Sequence, residues 1–513
     1  MNGAESLIRT LATGGVTTCF MNPGTSEIHF VAALDRMPEV RGIPCLFEGV
    51  ASGAADGYAR MSGKPACTLL HLGPGLSNAL ANLHNACRAH VPLINVVGDH
   101  ASFHSQYETP LASNIEALAR PYSAWLRKAA HPEAVGQDCA DAIAAARTSP
   151  GRIATLILPA DSAWGNGGLI GSIPAIPDPL LPADSRVEHA ADLLRSGRPV
   201  ALVLGLQLPT GRTLTIAGQI ATKTGARLLA PFAFTRIERG GGRPSVERIA
   251  YVTEQAIQQL ARYDAIVLVG APPPVAFFAH PDKPSVLTAE RTEVFTLARP
   301  EEDCAGALAA LAALLEADRV RPAVQSSGRA GLPFGEISPE GLAAVVGALL
   351  PENAIVVDES ITSGRGMLAA TADAPPHDWL VNTGGSIGIG LPLSIGAAVA
   401  CPDRPVLCLE ADGSGMYTIQ ALWTAARENL KITMIVFANR AYAILKGELA
   451  SAAANPGPKA FDMLEIGRPE IDWVALARGL GVQATKVTTL EEFAAALRRG
   501  LASAEPNLIQ VPL

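Results

Sequence analysis

Charge is what this chain is shortest of. Asp, Glu, Lys and Arg make up only 17% of its 513 residues, and the balance is −8 at neutral pH. No run of Lys and Arg interrupts it, so there is no basic patch for a nucleic-acid backbone or an acidic membrane surface. Aromatic residues are also scarce, at 5%. The eight cysteines (Cys19, Cys45, Cys67, Cys87, Cys139, Cys304, Cys401 and Cys408) form no CxxC pair and show no metal-ligand spacing. Several lie in apolar runs, where a thiol is usually a small core residue. The opening MNGAESLIRT has no secretory leader, which points to a reduced, cytoplasmic compartment. No strand leads into a GxGxxG with an acidic residue beyond it, which disfavours a nicotinamide dehydrogenase. One uncharged stretch, residues 379–402, is long enough to cross a bilayer. It contains Gly384, Gly385, Gly388, Gly390, Pro392 and Gly396 and lacks basic flanks, so it reads as a Gly-rich loop entering a buried helix.

What the chain does have is an alternation of short apolar runs with Ala-rich amphipathic stretches. That pattern predicts parallel sheets joined by crossover helices. Buried strands are expected at 66–70, 92–97, 153–158, 199–204, 265–270, 354–357, 405–410 and 431–437, with helices such as 133–147 and 491–502 between them. Two Pro-rich stretches, 173–182 (IPAIPDPLLP) and 319–333, read as extended linkers. They divide the chain into blocks 1–172, 183–318 and 334–513, each large enough for its own core. The fold class expected is α/β, with three domains, each a mainly parallel sheet flanked by helices.

Two constellations carry chemistry. The segment EADGSGMYTIQALWTAARENLKITMIVFANRAYAIL predicts a buried strand, a tight Asp412-Gly413 turn, an amphipathic helix and a second strand ending at Asn439. Asp412 and Asn439 then stand at the carboxyl ends of neighbouring parallel strands, the edge of an α/β sheet where ligands bind. They offer hard oxygens for Mg²⁺, beside main-chain N–H groups suited to phosphate. Against this, Asp-Gly is one of the commonest turn pairs, and Asn is ordinary at a strand end. In the first block, NPGTSE (22–27) follows a short strand, and Glu48 in LFEGVASGAADGYAR heads a helix whose small Ala51, Gly53 and Ala54 permit close approach. A Glu there is also favoured simply by the helix dipole. His71, in HLGPG, closes another strand.

The order NPG[ST], FExxAxxADGYAR, HxGPG and the Asp412–Asn439 segment resembles the thiamine diphosphate (ThDP) enzymes of the pyruvate-decarboxylase-like branch. It is most similar to benzoylformate decarboxylases and to proteins called acetolactate synthase large subunits, the former through ALWTAA (421–426) and EIDWVALARGLGVQA (470–484). The resemblance spans nearly the whole chain and implies pyrimidine-binding, central and diphosphate-binding domains in that order. Ala411 and Ala438 depart from the usual Gly and Asn at the edges of the cofactor motif.

What the resemblance implies is specific. Asp412, Asn439 and the carbonyl of Ala441 would bind Mg²⁺; Gly413, Ser414 and Thr362 would meet the diphosphate, with Tyr417 on the first turn of the following helix. Ile361 replaces a family Thr beside Thr362. Gly385 would offer its carbonyl to the aminopyrimidine, Ile387 would hold the cofactor in its bent form, and Glu48 would activate the ring. Thr25 and His71 match substrate-side residues of benzoylformate decarboxylase. A second active-site histidine falls on Ala279 in an ungapped match, and His280 takes that place if the loop shifts by one residue. His100 follows Asp99 where relatives commonly carry Gln, which implies a different substrate; His29 and His104 are further candidates for lining the pocket.

The function implied is a ThDP- and Mg²⁺-dependent 2-oxo-acid decarboxylase or carboligase, with an acetolactate synthase-type carboligase or a non-catalytic ThDP-binding paralogue as alternatives. FAD is not expected, because the characteristic Gly-Met-containing loop is not found around residues 232–251. The expected assembly is a homodimer or homotetramer with active sites at subunit interfaces.

Overall fold

Long apolar runs form the centres of three separate sheets in the computed structural model, which describes residues 1–281, 283–451 and 455–513. The first sheet contains β1 (Thr18–Asn22), β2 (Arg41–Pro44), β3 (Ala66–Leu70), β4 (Leu93–Asp99), β5 (Trp125–Lys128) and β6 (Ile153–Pro159). All its pairings are parallel, in the order β2-β1-β3-β4-β6-β5. The middle segment supplies β7 (Val200–Leu204), β8 (Arg227–Ala230), β9 (Ile237–Arg239), β10 (Glu247–Arg248), β11 (Ala265–Val269) and β12 (Glu293–Ala298). All but β9 form a second parallel sheet, ordered β10-β8-β7-β11-β12. The third contains β13 (Ile355–Glu359), β14 (His377–Val381), β15 (Val406–Ala411), β16 (Ile432–Ala438), β17 (Gln483–Lys486) and β18 (Asn507–Pro512), ordered β17-β18-β16-β15-β13-β14-β9.

Each strand expected from an apolar run is present, with its ends displaced by at most two residues. Two details differ. Asp412-Gly413 is the start of a short helix, Asp412–Gly415, because the chain after β15 turns directly into a helical backbone. The following strand closes at Ala438, leaving Asn439 just beyond it. Residues 379–402 divide into the end of β14, a glycine loop and the helix Gly390–Ala400. Among the described residues no helix is long and apolar enough to cross a membrane. All eight cysteines are free thiols.

The first and third sheets are joined through two helices rich in small residues. Glu48–Ser62 packs on Gly390–Ala400 so closely that a Cβ on Gly57 would lie 2.1 Å from the Leu393 carbonyl oxygen. One on Gly396 would lie 1.9 Å from that of Ala54, so any side chain there would push the sheets apart. A fully buried Asp56–Arg60 pair locks the seam: Arg60 donates to both Asp56 carboxylate oxygens and to Val381 O, Thr383 Oγ1 and Thr235 O. Removing either partner would leave an uncompensated buried charge, a loss of roughly 3–5 kcal/mol.

β9 was not legible as part of the third sheet; it reaches in from the middle segment and pairs antiparallel to β14, with Arg239 opposite His377. His377 Nδ1 bonds Pro375 O (2.8 Å), and Arg239 donates to its Nε2 (3.3 Å), so the ring is neutral. Burial and then the Arg239 charge hold the imidazole down to about 4, while Asp378 acts weakly the other way. A histidine that resists protonation only when folded costs stability below its free value of 6.5 as the unfolded chain takes up the proton. The penalty is about 2 kcal/mol by pH 5 and grows until pH 4. His377→Asn is expected to flatten the fall of melting temperature between pH 6.5 and 5. An unchanged slope would assign that acid sensitivity elsewhere.

Candidate active site

The first half-site lies at the carboxyl edge of the first sheet. β1 ends at Asn22 and turns through Pro23 and Gly24 to the exposed Thr25 and the buried Glu27. Glu27 Oε2 accepts from Gly24 N (2.8 Å) and pairs with His71 Nδ1 (2.7 Å) at the end of β3. Gly24 makes room for the imidazole, since a Cβ there would lie 2.3 Å from Nδ1. The other Glu27 oxygen has no hydrogen-bond partner and is pressed against Gly98 of β4. Burial raises the Glu27 carboxyl above the usual range, and the Gly24 N–H and His71 oppose that shift. With Nδ1–H donated to Glu27, the imidazole presents Nε2 for proton transfer. Leu72, the next residue, has a left-handed φ of 49° and redirects the chain into the helix Leu72–Arg88. Glu48, 5% exposed, opens the helix Glu48–Ser62. Asn78 Nδ2 donates to its Oε2 at 3.0 Å, and Gly75 lets the carboxylate pass, since a Cβ there would stand 2.9 Å from Oε1. The same Cβ would be 3.3 Å from His71 Cβ, so Glu48 and His71 are neighbours.

The second half-site lies at the carboxyl edge of the third sheet. Asp412 is buried where β15 ends; its Oδ1 accepts from Gly413 N (2.9 Å) and its Oδ2 from Arg440 N (2.6 Å). The second bond holds Arg440 in a left-handed backbone (φ 59°). Such conformations cost of order 1–3 kcal/mol for a non-glycine residue and gather at functional sites. Ile361 is a second case (φ 50°), more costly because it is β-branched, on the loop that carries Thr362. Asn439 Oδ1 accepts from Ala441 N (3.0 Å), and its Nδ2 reaches Ser363 Oγ at 3.4 Å. Asp412, Asn439 and Ala441 therefore share one loop cluster. Desolvation raises the Asp412 carboxyl, and the main-chain N–H groups of Arg440 and Gly413 oppose that rise. Among the described residues no three His, Cys, Asp or Glu side chains converge on a metal position. The set here has one carboxylate, one carboxamide and one main-chain carbonyl, the oxygen chemistry that suits a hard divalent cation.

The glycine loop 384–388 faces this cluster and is pinned from both sides. Asn382 Oδ1 accepts from Gly384 N and Gly385 N, while Ser386 O accepts from Asn382 Nδ2 and from Asn85 Nδ2 of the first block. Gly388 N and Gly390 N donate to the buried Glu359 (3.1 and 2.7 Å to Oε2). Burial lifts the Glu359 carboxyl to about 7. Glu410 beside it is raised by burial and by Glu359. Gly385 needs its positive φ (80°), and a Cβ on it would strike the Phe277 ring at 2.6 Å. Ile387 is half-buried in the loop, and Tyr417, 53% exposed, lies against Gly388. Gly413 lies under the Tyr442 ring, and Ser414 is buried on the short helix. Within one chain the first and third blocks also touch at Asn82, whose Nδ2 donates to Gly49 O (2.8 Å) and Gly388 O (3.3 Å).

His280 faces a cavity of about 320 Å³ between the middle and third sheets, with Glu448 Oε2 at 3.7 Å from its Nε2. Ala279 is not among the residues that line it. His100 and His104 lie tilted against each other (5.8 Å between centroids), with His100 Nε2 3.0 Å from Thr109 Oγ1, and His29 lies against Trp164. Sequence reasoning did not single out Glu27, Asn78 or Phe277. Glu27 was visible inside NPGTSE, but its partner lies 44 residues away and only the β1–β3 pairing brings them together.

Comparison with known proteins gives a consistent result. Residues 1–117 match the model of the thiamine pyrophosphate enzyme N-terminal TPP-binding domain, and residues 364–511 match that of the C-terminal TPP-binding domain. A Mycobacterium tuberculosis protein provisionally named an acetolactate synthase large subunit is 53% identical over 100% of this chain and 99% of its own. The benzoylformate decarboxylase of Pseudomonas aeruginosa is 30% identical over 97% of this chain and 96% of its own. The structure of the thiamine diphosphate-dependent 4-hydroxybenzoylformate decarboxylase of Rhodococcus jostii superposes with a TM-score of 0.86. It is 25% identical and covers 100% of this chain and 99% of that one.

Proposed function

The chain belongs to the thiamine pyrophosphate enzyme family, and on that premise we propose that it uses ThDP and Mg²⁺ to decarboxylate a 2-oxo acid. The product would leave as an aldehyde or be joined to a second carbonyl compound. The observation that carries this reading is the presence of two half-sites on one chain: Glu48 beside the Glu27–His71 dyad, and Asp412, Asn439 and Ala441 beside a pinned glycine loop.

The residues present fit the cofactor. Asp412 is a buried carboxylate with no ion pair among the described residues, and its two hydrogen bonds leave lone pairs for a metal. The glycine positions beneath Phe277, Tyr417 and Tyr442 form a cradle that side chains would fill. When bound, ThDP supplies an electron sink for the pair released as the carbon–carbon bond breaks. Asp412, Asn439 and the Ala441 carbonyl would hold Mg²⁺, and Gly413, Ser414 and Thr362 would donate to the diphosphate. The Gly385 carbonyl would accept from the aminopyrimidine amine, and Ile387 would support the bend. Glu48, oriented by Asn78, would hold and return a proton at the pyrimidine ring. Thr25 would donate to the substrate carboxylate, and His71 Nε2, with its tautomer set by Glu27, would relay a proton to the product carbon. His280 would serve the opposite wall.

Large apolar side chains exposed on the single chain rim both half-sites: Ile28 and Leu46 near the first, Phe278, Met416, Tyr417 and Leu445 near the second. A second copy related by two-fold symmetry would cover both rims at once, with Glu48 of one subunit meeting the diphosphate half-site of the other. Carboligation of two 2-oxo acids is a second reading, favoured by the likeness to the provisionally named acetolactate synthase subunit. Both readings are tested by incubating purified protein with ThDP, Mg²⁺ and a panel of 2-oxo acids. Carbon dioxide with an aldehyde supports the first, carbon dioxide with a ligated product supports the second, and no carbon dioxide from any member contradicts both.

A further inference from the structure

The cavity that His280 faces is walled by Tyr251, Phe277 and Phe278, and its other lining residues include Glu254, Lys283, Arg365 and Glu448. Lys283 Nζ is paired with Glu254 (2.6 Å), and His280 is near Glu448 (3.7 Å). Arg365 is exposed, lines the same cavity and has neither an ion pair nor a hydrogen bond among the described residues. Burial and then the Glu448 charge raise the Tyr251 hydroxyl, and the Arg365 guanidinium acts on it in the opposite direction. Position matters as much as charge. Phe277 bridges the cavity and the glycine loop, its ring 2.6 Å from where a Gly385 Cβ would be. Arg365 follows three residues after Thr362, on the loop that carries the left-handed Ile361. Arg365 and Phe277 therefore line one cavity, and Phe277 also backs the glycine loop of the proposed site.

A lone arginine here is poorly suited to the carboxylate that leaves as carbon dioxide. An ion pair to that group is strongest before the bond breaks and weakens as the charge departs, so it would stabilise substrate over transition state. An ion pair to the far end of the substrate persists throughout and only positions it. The planar fork of arginine suits carboxylate or phosphonate oxygens, and an aromatic wall would shield that pair from water. We propose that the 2-oxo acid carries a second anionic group at its far end, and that Arg365 binds it. The inference rests on the decarboxylase reading of this site and names its substrate class.

The test uses the ThDP- and Mg²⁺-loaded enzyme on substrates matched except for charge: 2-oxopentanoate against 2-oxoglutarate, and pyruvate against 3-phosphonopyruvate. The charged member of at least one pair should have a kcat/KM at least tenfold higher, and the pair that shows it tells carboxylate from phosphonate. Arg365→Gln should erase that preference mainly through KM, with Arg365→Lys restoring part of it. Equal or better turnover of the neutral members would overturn the proposal, as would weaker ThDP binding in Arg365→Gln with the preference unchanged. If no 2-oxo acid is turned over, the decarboxylase reading fails by itself. Equilibrium binding of glutarate and of 3-phosphonopropionate, which lack the keto group, then decides: tenfold or greater weakening in Arg365→Gln upholds the anion site, and no weakening for either removes it.

Discussion

Glu48→Gln should bind ThDP within a few-fold of the parent yet lose turnover by at least about 100-fold, the usual scale for removing a positioned general acid–base group. The amide keeps the shape of the side chain, and its oxygen can still accept from Asn78 Nδ2. It cannot take up and return a proton. Because Glu48 is almost wholly buried against Gly75 and Asn78, the substitution changes little else. Measuring kcat beside cofactor affinity separates the two roles, and a variant retaining half its turnover would refute the one assigned to Glu48.

Asp412→Ala should abolish Mg²⁺-dependent retention of ThDP, weakening it by roughly 100-fold or more, since it removes the one charged oxygen of the proposed set. Part of that loss is structural. Asp412 Oδ2 is what holds the Arg440 N–H, so its removal frees a left-handed backbone that costs of order 1–3 kcal/mol to maintain. Asp412→Asn isolates the charge, because a carboxamide oxygen can still accept one of the two main-chain N–H groups. Its retention should fall between those of the parent and Asp412→Ala. Equal retention by all three proteins after exposure to a chelator would place the metal elsewhere.

The parts of this molecule that were legible in its sequence share a physical cause. A strand buried on both faces has no solvated side, so β3, β6, β15 and β16 appear as mainly apolar runs. Their carboxyl ends then mark where polar residues are worth reading, which locates His71, Asp412 and Asn439. Edge strands such as β5 (WLRK) and β17 (QATK) carry half-exposed polar residues and look like loop. β9 is three residues long, and nothing near it announces that it leaves its own sheet for another. Side-chain pairings across the fold were equally hidden. Motif order identifies His71, but Glu27 becomes its partner only when β1 is laid beside β3. The choice between Ala279 and His280 rests on loop geometry that an ungapped match does not contain. Arg365 has no signature at all in the chain, since its significance is its place on a cavity wall that the fold builds from distant segments.

In the proposed assembly, one site is built from the Glu48 half of one copy and the Asp412 half of another. Mixed dimers carrying Glu48→Gln on one chain and Asp412→Ala on the other test it directly. In each such dimer one site would hold both substitutions and the other neither, so activity absent from both parent variants should return to about half that of an unsubstituted dimer. Mixed dimers as inactive as the two variants alone would contradict it.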